Sequence, residues 1–427
     1  MKLCNTKYKK CKIIYLLIIQ VFFLLSPSVS SANLLDQIDR YKSNDLFLFD
    51  DPFSNSIDEQ YSLDDNLMLV SGSSKKGFLN YQNYLEIEKA IRFYQDILYQ
   101  GGWPSIDITT ELEIGDVSEE IIKLRERLLI TKDIDQDRGI SDIFDVFVAD
   151  GLKNFQSRHG LEPTGRLDKN TIQHLNHPIE YKLKKLGINK TRFLNYISGL
   201  GERYIFVNIP GGDLVAVDNG TVDYYTKVIV GKSDRQTPII DSDIYEINFF
   251  PYWHVPESIV KKDIIKAMNI DPRYLEKNNI FIYQDYYYQK IINPQYIDWT
   301  TEEATLFKFR QNPGFTNSLG VAKINFPNEH AVFLHDTPRK SLFNEEIRYF
   351  SSGCVRVQNI DDLIDWLLSK SANWNEDLLH EILNNSVTKT LRLDAQIPIK
   401  IGYITAWVEN GQIQFRDDIY KKDSTYQ

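Results

Sequence analysis

The chain has 427 residues, 42% of them hydrophobic and 13% aromatic, which is enough for a large core divided among two or three domains. Its net charge of −10, with no long basic stripe beyond the first residues, excludes general binding of nucleic acid or other polyanions.

Residues 1–32 have the layout of an export signal. Lys2, Lys7, Lys9, Lys10 and Lys12 form a basic head, Ile13 to Leu25 an apolar run, and Ser28-Val29-Ser30 or Ser30-Ser31-Ala32 the small residues a signal peptidase needs. The run is short for a spanning helix, while Lys12, tight against it, leaves an uncleaved membrane anchor as the alternative. Either way the remainder is expected in the periplasm. Cys4 and Cys11 precede the apolar run and suit no lipid attachment, so cleavage leaves Cys354 as the sole cysteine and excludes a disulfide scaffold. A lone exported thiol invites oxidation and therefore points to chemistry; the plainer reading is a small buried hydrophobe.

Residues 33–115 form an N-terminal scaffold region, polar and uninformative until Tyr81 to Tyr99, where Tyr84, Ile87, Ile91 and Ile97 have helical spacing. Gly101-Gly102-Trp103-Pro104 breaks that helix. A module over 116–177 follows. Asp116 is the expected cap of a helix to Leu129, with Glu119 three residues on and Ile121, Leu124 and Leu128 on one face. Phe144, Val148, Leu152 and Phe155 mark a second helix that ends near His159-Gly160, and Asp168 caps a short third through Ile172 and Leu175. The run Phe155-Gln156, His159-Gly160-Leu161, Thr164-Gly165, Thr171 and Leu175-Asn176 resembles the three-helix peptidoglycan-binding module, with Thr164 where Asp is common. A bundle without ligand is the alternative. His174 and His177 lie three apart, yet no further ligand set with metal spacing accompanies them, so no metal is expected. No cofactor is expected either.

From Arg203 the period changes to that of strands: Tyr204 to Ile209, then Leu214 to Val217 and Val222 to Val230 around the hairpin signal Asn219-Gly220, then Ile244 to Phe250. Residues from about 255 to 320 are charged, Tyr-rich and helix-prone, an insertion long enough to cover a cleft as a lid. Strands resume at Ala322 to Phe326 and Ala331 to His335, and Pro338 stops the second. A helix begins at Asn359, and a hairpin from Ile397 to Arg416 turns at Asn410-Gly411. The fold class is α+β: a β-rich domain over 202–425 with a helical lid insertion, behind an N-terminal helical region.

His335 thus ends a strand, and Ser351-Ser352-Gly353-Cys354-Val355-Arg356 follows. An ordinary thiol, with a pKa of about 8.5, is only slightly ionised at neutral pH, and a neighbouring imidazole raises the thiolate fraction. Gly353 lets the backbone approach something closely. Leu334-His335-Asp336-Thr337-Pro338 with the cysteine hexapeptide resembles the L,D-transpeptidase (YkuD-type) motif. The larger members share Gly231-Lys232, Arg235-Gln236-Thr237-Pro238, Pro251-Tyr252-Trp253, Gln311-Asn312-Pro313-Gly314, Asn317-Ser318-Leu319-Gly320 and Thr405-Ala406-Trp407-Val408. Many relatives have Gly at 336 and His at 352; the larger ones have this chain's Asp and Ser.

The resemblance implies 3→3 cross-linking of peptidoglycan stem peptides through a cysteine thioester, with release of D-Ala. Cys354 is then the nucleophile and His335 the general base and acid. Amides around Gly353 and Cys354 form the oxyanion region. The Asp336 carboxylate faces away from His335 by strand alternation, and its backbone carbonyl orients the imidazole. Arg356, Ser352 and Phe333 are assigned to substrate binding, with a buried salt bridge as the other reading of Arg356. Carbapenem-type β-lactams are expected covalent inhibitors. Two alternatives stay open: an L,D-carboxypeptidase or cross-link hydrolase using the same thioester, and a non-catalytic wall-binding scaffold.

Overall fold

The structure, a computed structural model, describes residues 79–136, 139–372, 374–386 and 388–424. The expected export segment, with Cys4 and Cys11, lies outside them, and no helix among the described residues is long and apolar enough to cross a membrane.

Helix α1 (Tyr81–Tyr99) starts where the Asn80 side chain accepts from the Asn83 amide at 2.8 Å, satisfying one of the donors a helix start leaves orphaned. Helix α2 (Glu120–Ile130) begins later than the capping pattern predicts. Asp116 does not cap it: its carboxylate accepts from Glu113 N at 2.8 Å, and Val117 bridges to Ile143. Pairing with the following loop keeps that segment extended. Helices α3 (Val146–Arg158) and α4 (Lys169–Leu175) are capped by Asp145 and Asp168 through the amides of Val148 and Thr171. Ile121, Leu124, Leu128, Phe144, Leu152 and Phe155 make their shared core. Beneath it Arg158 and Asp133 pair at 2.5 and 2.6 Å, both almost fully buried; removing one partner of such a pair costs roughly 3–5 kcal/mol.

Helix α5 (Ile179–Ile197) has no counterpart in the sequence reading. Its buried face carries Lys182, Lys185, Asn189 and Arg192 among Ile179, Leu186 and Phe193, so the apolar period is masked. Lys185, Asn189 and Arg192 bind residues between 405 and 423. Asn189 bonds both the amide and the hydroxyl of Thr405 at 2.8 Å, and Arg192 reaches Asp423 at 2.5 Å. Burial of such side chains is tolerable only with partners of this kind.

Strands β1 (Arg203–Asn208), β2 (Asp213–Asp218), β3 (Thr221–Ile229) and β4 (Ile240–Phe249) follow. Asn219 and Gly220 turn β2 into β3 with φ of 52° and 76°, the double positive φ of a type I′ hairpin. The insertion is not helical alone. Short helices at Glu257–Ile259, Ile265–Ile270 and Tyr274–Lys277 flank a π-helical turn at Val260–Ile264. With them, β5 (Trp253–Val255), β6 (Ile280–Tyr283), β7 (Ile291–Ile292) and β8 (Lys308–Gln311) form a sheet of order β5-β8-β6-β7. Val260, Ile264, Leu275, Ile282 and Phe309 give it a core of its own. These strands are too short to show a period against the charged background.

The chain returns through β9 (Ala322–Asn325), β10 (Leu334–His335) and β11 (Val355–Val357), then helices Ile360–Leu368 and Glu376–Asn385, then β12 (Lys389–Gly402) and the hairpin β13 (Ala406–Glu409) and β14 (Gln412–Phe415). The expected strand from Ile397 is therefore two elements: β12 belongs to the barrel and only β13 to the hairpin. A closed barrel runs β1-β12-β4-β9-β10-β11-β3-β2, parallel at β1–β12 and at β10–β11. Closure leaves no unpaired edge and fixes β9, β10 and β11 side by side. The hairpin, with Trp407 and Phe415 buried, packs on α1, α5 and the outer residues of β1.

Candidate active site

Register decides which side chains meet. Leu334 pairs with Val355 and His335 with Arg356, while His335 faces Lys323 on its other side. Leu334, Val355 and Ile324 are fully buried in the barrel. Since successive side chains alternate, Lys323, Phe333, His335, Cys354 and Arg356 share the outward face. The Phe333 and His335 rings lie 5.6 Å apart edge to face, and Lys323 Nζ sits 4.2 Å from the Phe333 centroid. The apolar run before His335 is a strand only at Leu334 and His335. Ala331 has φ of 54°, and the Asn328 side chain bonds Val332 N and O at 2.9 and 2.7 Å, so a turn held by a side chain replaces the first half of the expected strand.

The cysteine loop is fastened by hydroxyls. Ser351 Oγ accepts from Gly353 N at 3.1 Å and donates to Cys354 O at 2.5 Å. Thr237 Oγ1 accepts from Gly231 N at 2.8 Å and donates to Gly353 O at 2.9 Å. Gly353 has φ of 119°, while a Cβ there would meet nothing nearer than Gln236 O at 3.7 Å. Backbone conformation, not a close approach, is what requires glycine. The Gly353 amide is engaged by Ser351, which narrows the expected oxyanion region to the Cys354 amide.

His335 Nδ1 donates to Asp336 O at 2.5 Å. A carbonyl can only accept, so Nδ1 carries the proton and Nε2 keeps its lone pair. The Asp336 carboxylate points elsewhere: it accepts from Val321 N at 2.9 Å and pairs with Lys340. Gly320 lies so close that an added Cβ would be 2.2 Å from Asp336 Oδ2. Asp336 therefore anchors the returning root of the insertion as well as the imidazole. Arg235 makes a second tie, pairing with Asp263 of the π-helical turn at 2.5 and 2.7 Å and donating to Ser352 Oγ at 2.9 Å. Ser352 is exposed, Arg356 half-buried.

Burial sets the charges. Desolvation pushes the Cys354 thiol up to about 11, opposed by the nearby Phe333 backbone, Lys323 and Arg356. Desolvation, then repulsion from Arg356, pushes His335 down to about 3. At rest both groups are neutral, where the sequence reading expects a thiolate favoured by its imidazole. Alkylation of Cys354 by iodoacetamide, which draws on thiolate formed beforehand and not on the proton transfer that accompanies acylation, should therefore be slow at pH 7 and rise about tenfold per pH unit when followed by mass spectrometry, because a thiol with a raised pKa yields thiolate only as pH climbs. A rate already at its plateau below pH 8 would contradict this.

Lys323 and the Arg235–Asp263 tie have no role in the sequence reading. The alternation Ala322-Lys323-Ile324-Asn325 carried the signal for Lys323, since only one lysine of that strand stands beside the histidine strand. Arg235 stood in a quoted motif, but its partner comes from the insertion, which spacing cannot reveal. The rings of His174 and His177 lie 5.3 Å apart. Among the described residues no group of three or more His, Cys, Asp or Glu is placed to hold a metal.

Residues 202–383 match the family model described as "L,D-transpeptidase catalytic domain", and residues 118–175 the one described as "Putative peptidoglycan binding domain". A Haemophilus influenzae protein described as "Putative L,D-transpeptidase" is 36% identical over 220 residues, 51% of this chain and 44% of that protein. The matched stretch thus spans less than half the length of that relative. Among solved structures, an L,D-transpeptidase from Stackebrandtia nassauensis is 14% identical, with 70% of this chain and 96% of that chain covered and a TM-score of 0.25. One from Mycobacterium smegmatis is 12% identical, with 47% and 58% covered and a TM-score of 0.23.

Proposed function

We propose that the protein is an exported L,D-transpeptidase that joins peptidoglycan tetrapeptide stems by 3→3 cross-links, a reading supported by the match of residues 202–383 to the L,D-transpeptidase catalytic domain. Cys354 Sγ attacks the carbonyl of the third stem residue, a diamino acid, as His335 Nε2 takes the thiol proton. The Cys354 amide receives the developing oxyanion. Collapse breaks the C–N bond to D-Ala, His335 returns the proton to the departing amine, and a thioester remains. The side-chain amine of a second stem then attacks the thioester carbon. Its proton passes to His335, the C–S bond breaks, and the thiol is restored.

The observation that carries this reading is the shared outward face of His335 and Cys354 on paired parallel strands, with His335 Nδ1 held by Asp336 O. That hydrogen bond leaves Nε2 as the base. Arg356, opposite His335 in the ladder, favours the anionic sulfur and the neutral imidazole together. Phe333 and Ser352 line the approach, and the module at 116–177 holds the glycan. Purified disaccharide-tetrapeptide should yield a dimer with loss of one D-Ala, read by mass. Tripeptide alone would assign the resolving step to water, making the protein a carboxypeptidase; unchanged substrate would remove acyl exchange altogether.

A further inference from the structure

Two cations stand on the insertion and on the strand beside His335: Arg310 and Lys323. Arg310 lies on β8, opposite His254 of β5 and Phe281 of β6. Three tyrosines enclose it: the guanidinium carbon is 4.5 Å from the Tyr252 centroid, 4.8 Å from Tyr288 and 4.9 Å from Tyr283. Nη2 donates to the Tyr283 hydroxyl at 2.9 Å, and Nε is buried without an acceptor. Tyr288, at φ of 54°, is held by a 2.7 Å contact between its hydroxyl and His254 Nδ1. Lys323 stands on the outward face of β9 beside His335, its ammonium over Phe333. No carboxylate of the described residues forms an ion pair with either cation.

A half-enclosed cation without an anion is costly. Ring faces compensate in part, and they fix the guanidinium plane while leaving most of its N–H groups unused. A planar fork of that kind matches a carboxylate with two parallel hydrogen bonds. Both cations also act on one imidazole. His254, directly across the ladder from Arg310, has its protonation disfavoured by burial first and then by Arg310 and by Lys323. Lys323 in turn is near enough to Cys354 to favour its thiolate. Positive charge therefore runs from the sulfur to the insertion, and Glu246 of β4 acts on Lys323 without forming an ion pair with it.

An enzyme that removes only the last residue of a stem has to recognise a chain end. In a tetrapeptide the free carboxylate lies one residue beyond the attacked carbonyl, within about 3.3–3.6 Å of extended reach per residue. We propose that Arg310, in its tyrosine cage, and Lys323 together receive the terminal carboxylate of the donor stem, so that the insertion selects the terminal peptide bond. This rests on the acyl-exchange reading above and assigns its donor specificity.

The test compares disaccharide-tetrapeptide bearing a free terminal carboxylate with the same compound as a terminal carboxamide, scoring release of the last residue by mass. Wild-type protein should prefer the acid in kcat/KM by at least about tenfold, the scale of a hydrogen bond to a charged group. Arg310→Gln and Lys323→Gln should each reduce that preference severalfold, with Arg310→Lys intermediate because it keeps charge and loses the fork. Equal use of acid and amide by the wild type overturns the proposal. So does an Arg310→Gln protein in which both substrates slow together and the ratio stays, the pattern of a purely structural role. Release from neither substrate overturns acyl exchange itself, and this assignment with it.

Discussion

A Cys354→Ala protein should gain no mass on incubation with a carbapenem, whereas the wild-type chain should gain one inhibitor. The strained lactam offers the carbonyl that the stem peptide offers, and ring opening on Sγ leaves a thioester. Without the sulfur the outward face of β10 and β11 keeps no thiol to form that bond; His335 Nε2 is left as a base without its nucleophile, and Ser352 Oγ accepts from Arg235. Loss of a nucleophile of this type removes as much as roughly 10⁶-fold in turnover, so peptide exchange should vanish in the same variant. The fold should survive. Cys354 is only half-buried, its backbone is fixed by Ser351 and by the Val355 amide bonded to Phe333 O at 3.1 Å, and truncation to a methyl group costs on the order of 1 kcal/mol. An adduct on the alanine protein would place the reactive group elsewhere.

How far the sequence reached is explained by which signals are local. Tyr81–Tyr99 matches its predicted helix end to end, because a polar cap, four apolar positions and a glycine pair all lie within one stretch. The β2–β3 hairpin follows from Asn219-Gly220 for the same reason. Helix α5 escaped because its buried face is paid for by partners more than 200 positions away, such as Thr405 and Asp423; a reader of local periodicity meets lysine, asparagine and arginine and finds no core. The strands of the insertion escaped for want of length. At the site, residue types and the short motif singled out His335 and Cys354, but which residues share their face is a matter of register. Register made Lys323 a neighbour of His335, and the backbone of the cysteine loop turned the glycine argument at 353 from close contact to φ. The same loop engages the Gly353 amide with Ser351 Oγ. None of these is encoded in spacing along one strand.

The same register gives His335 an effect that depends on pH in a stated direction. In wild-type protein the imidazole, pushed down to about 3, is unprotonated and able to accept a proton at every pH from mildly acid upward, so acylation by a carbapenem should vary little between pH 6 and 8. In His335→Ala protein only thiolate formed beforehand can react. With the thiol pushed up to about 11, its ionised fraction at pH 7 is about 10⁻⁴. Acylation should then fall by roughly 10²–10⁴-fold at pH 7, the range of general-base assistance. It should recover about tenfold for each unit of added pH as thiolate accumulates toward 11. A lowered baseline with no slope would instead indicate that the loop had lost its shape, since the imidazole also bonds Asp336 O beside the root of the insertion. Thermal melting of the variant separates the two, and acylation at the wild-type rate at pH 7 would remove His335 from proton transfer.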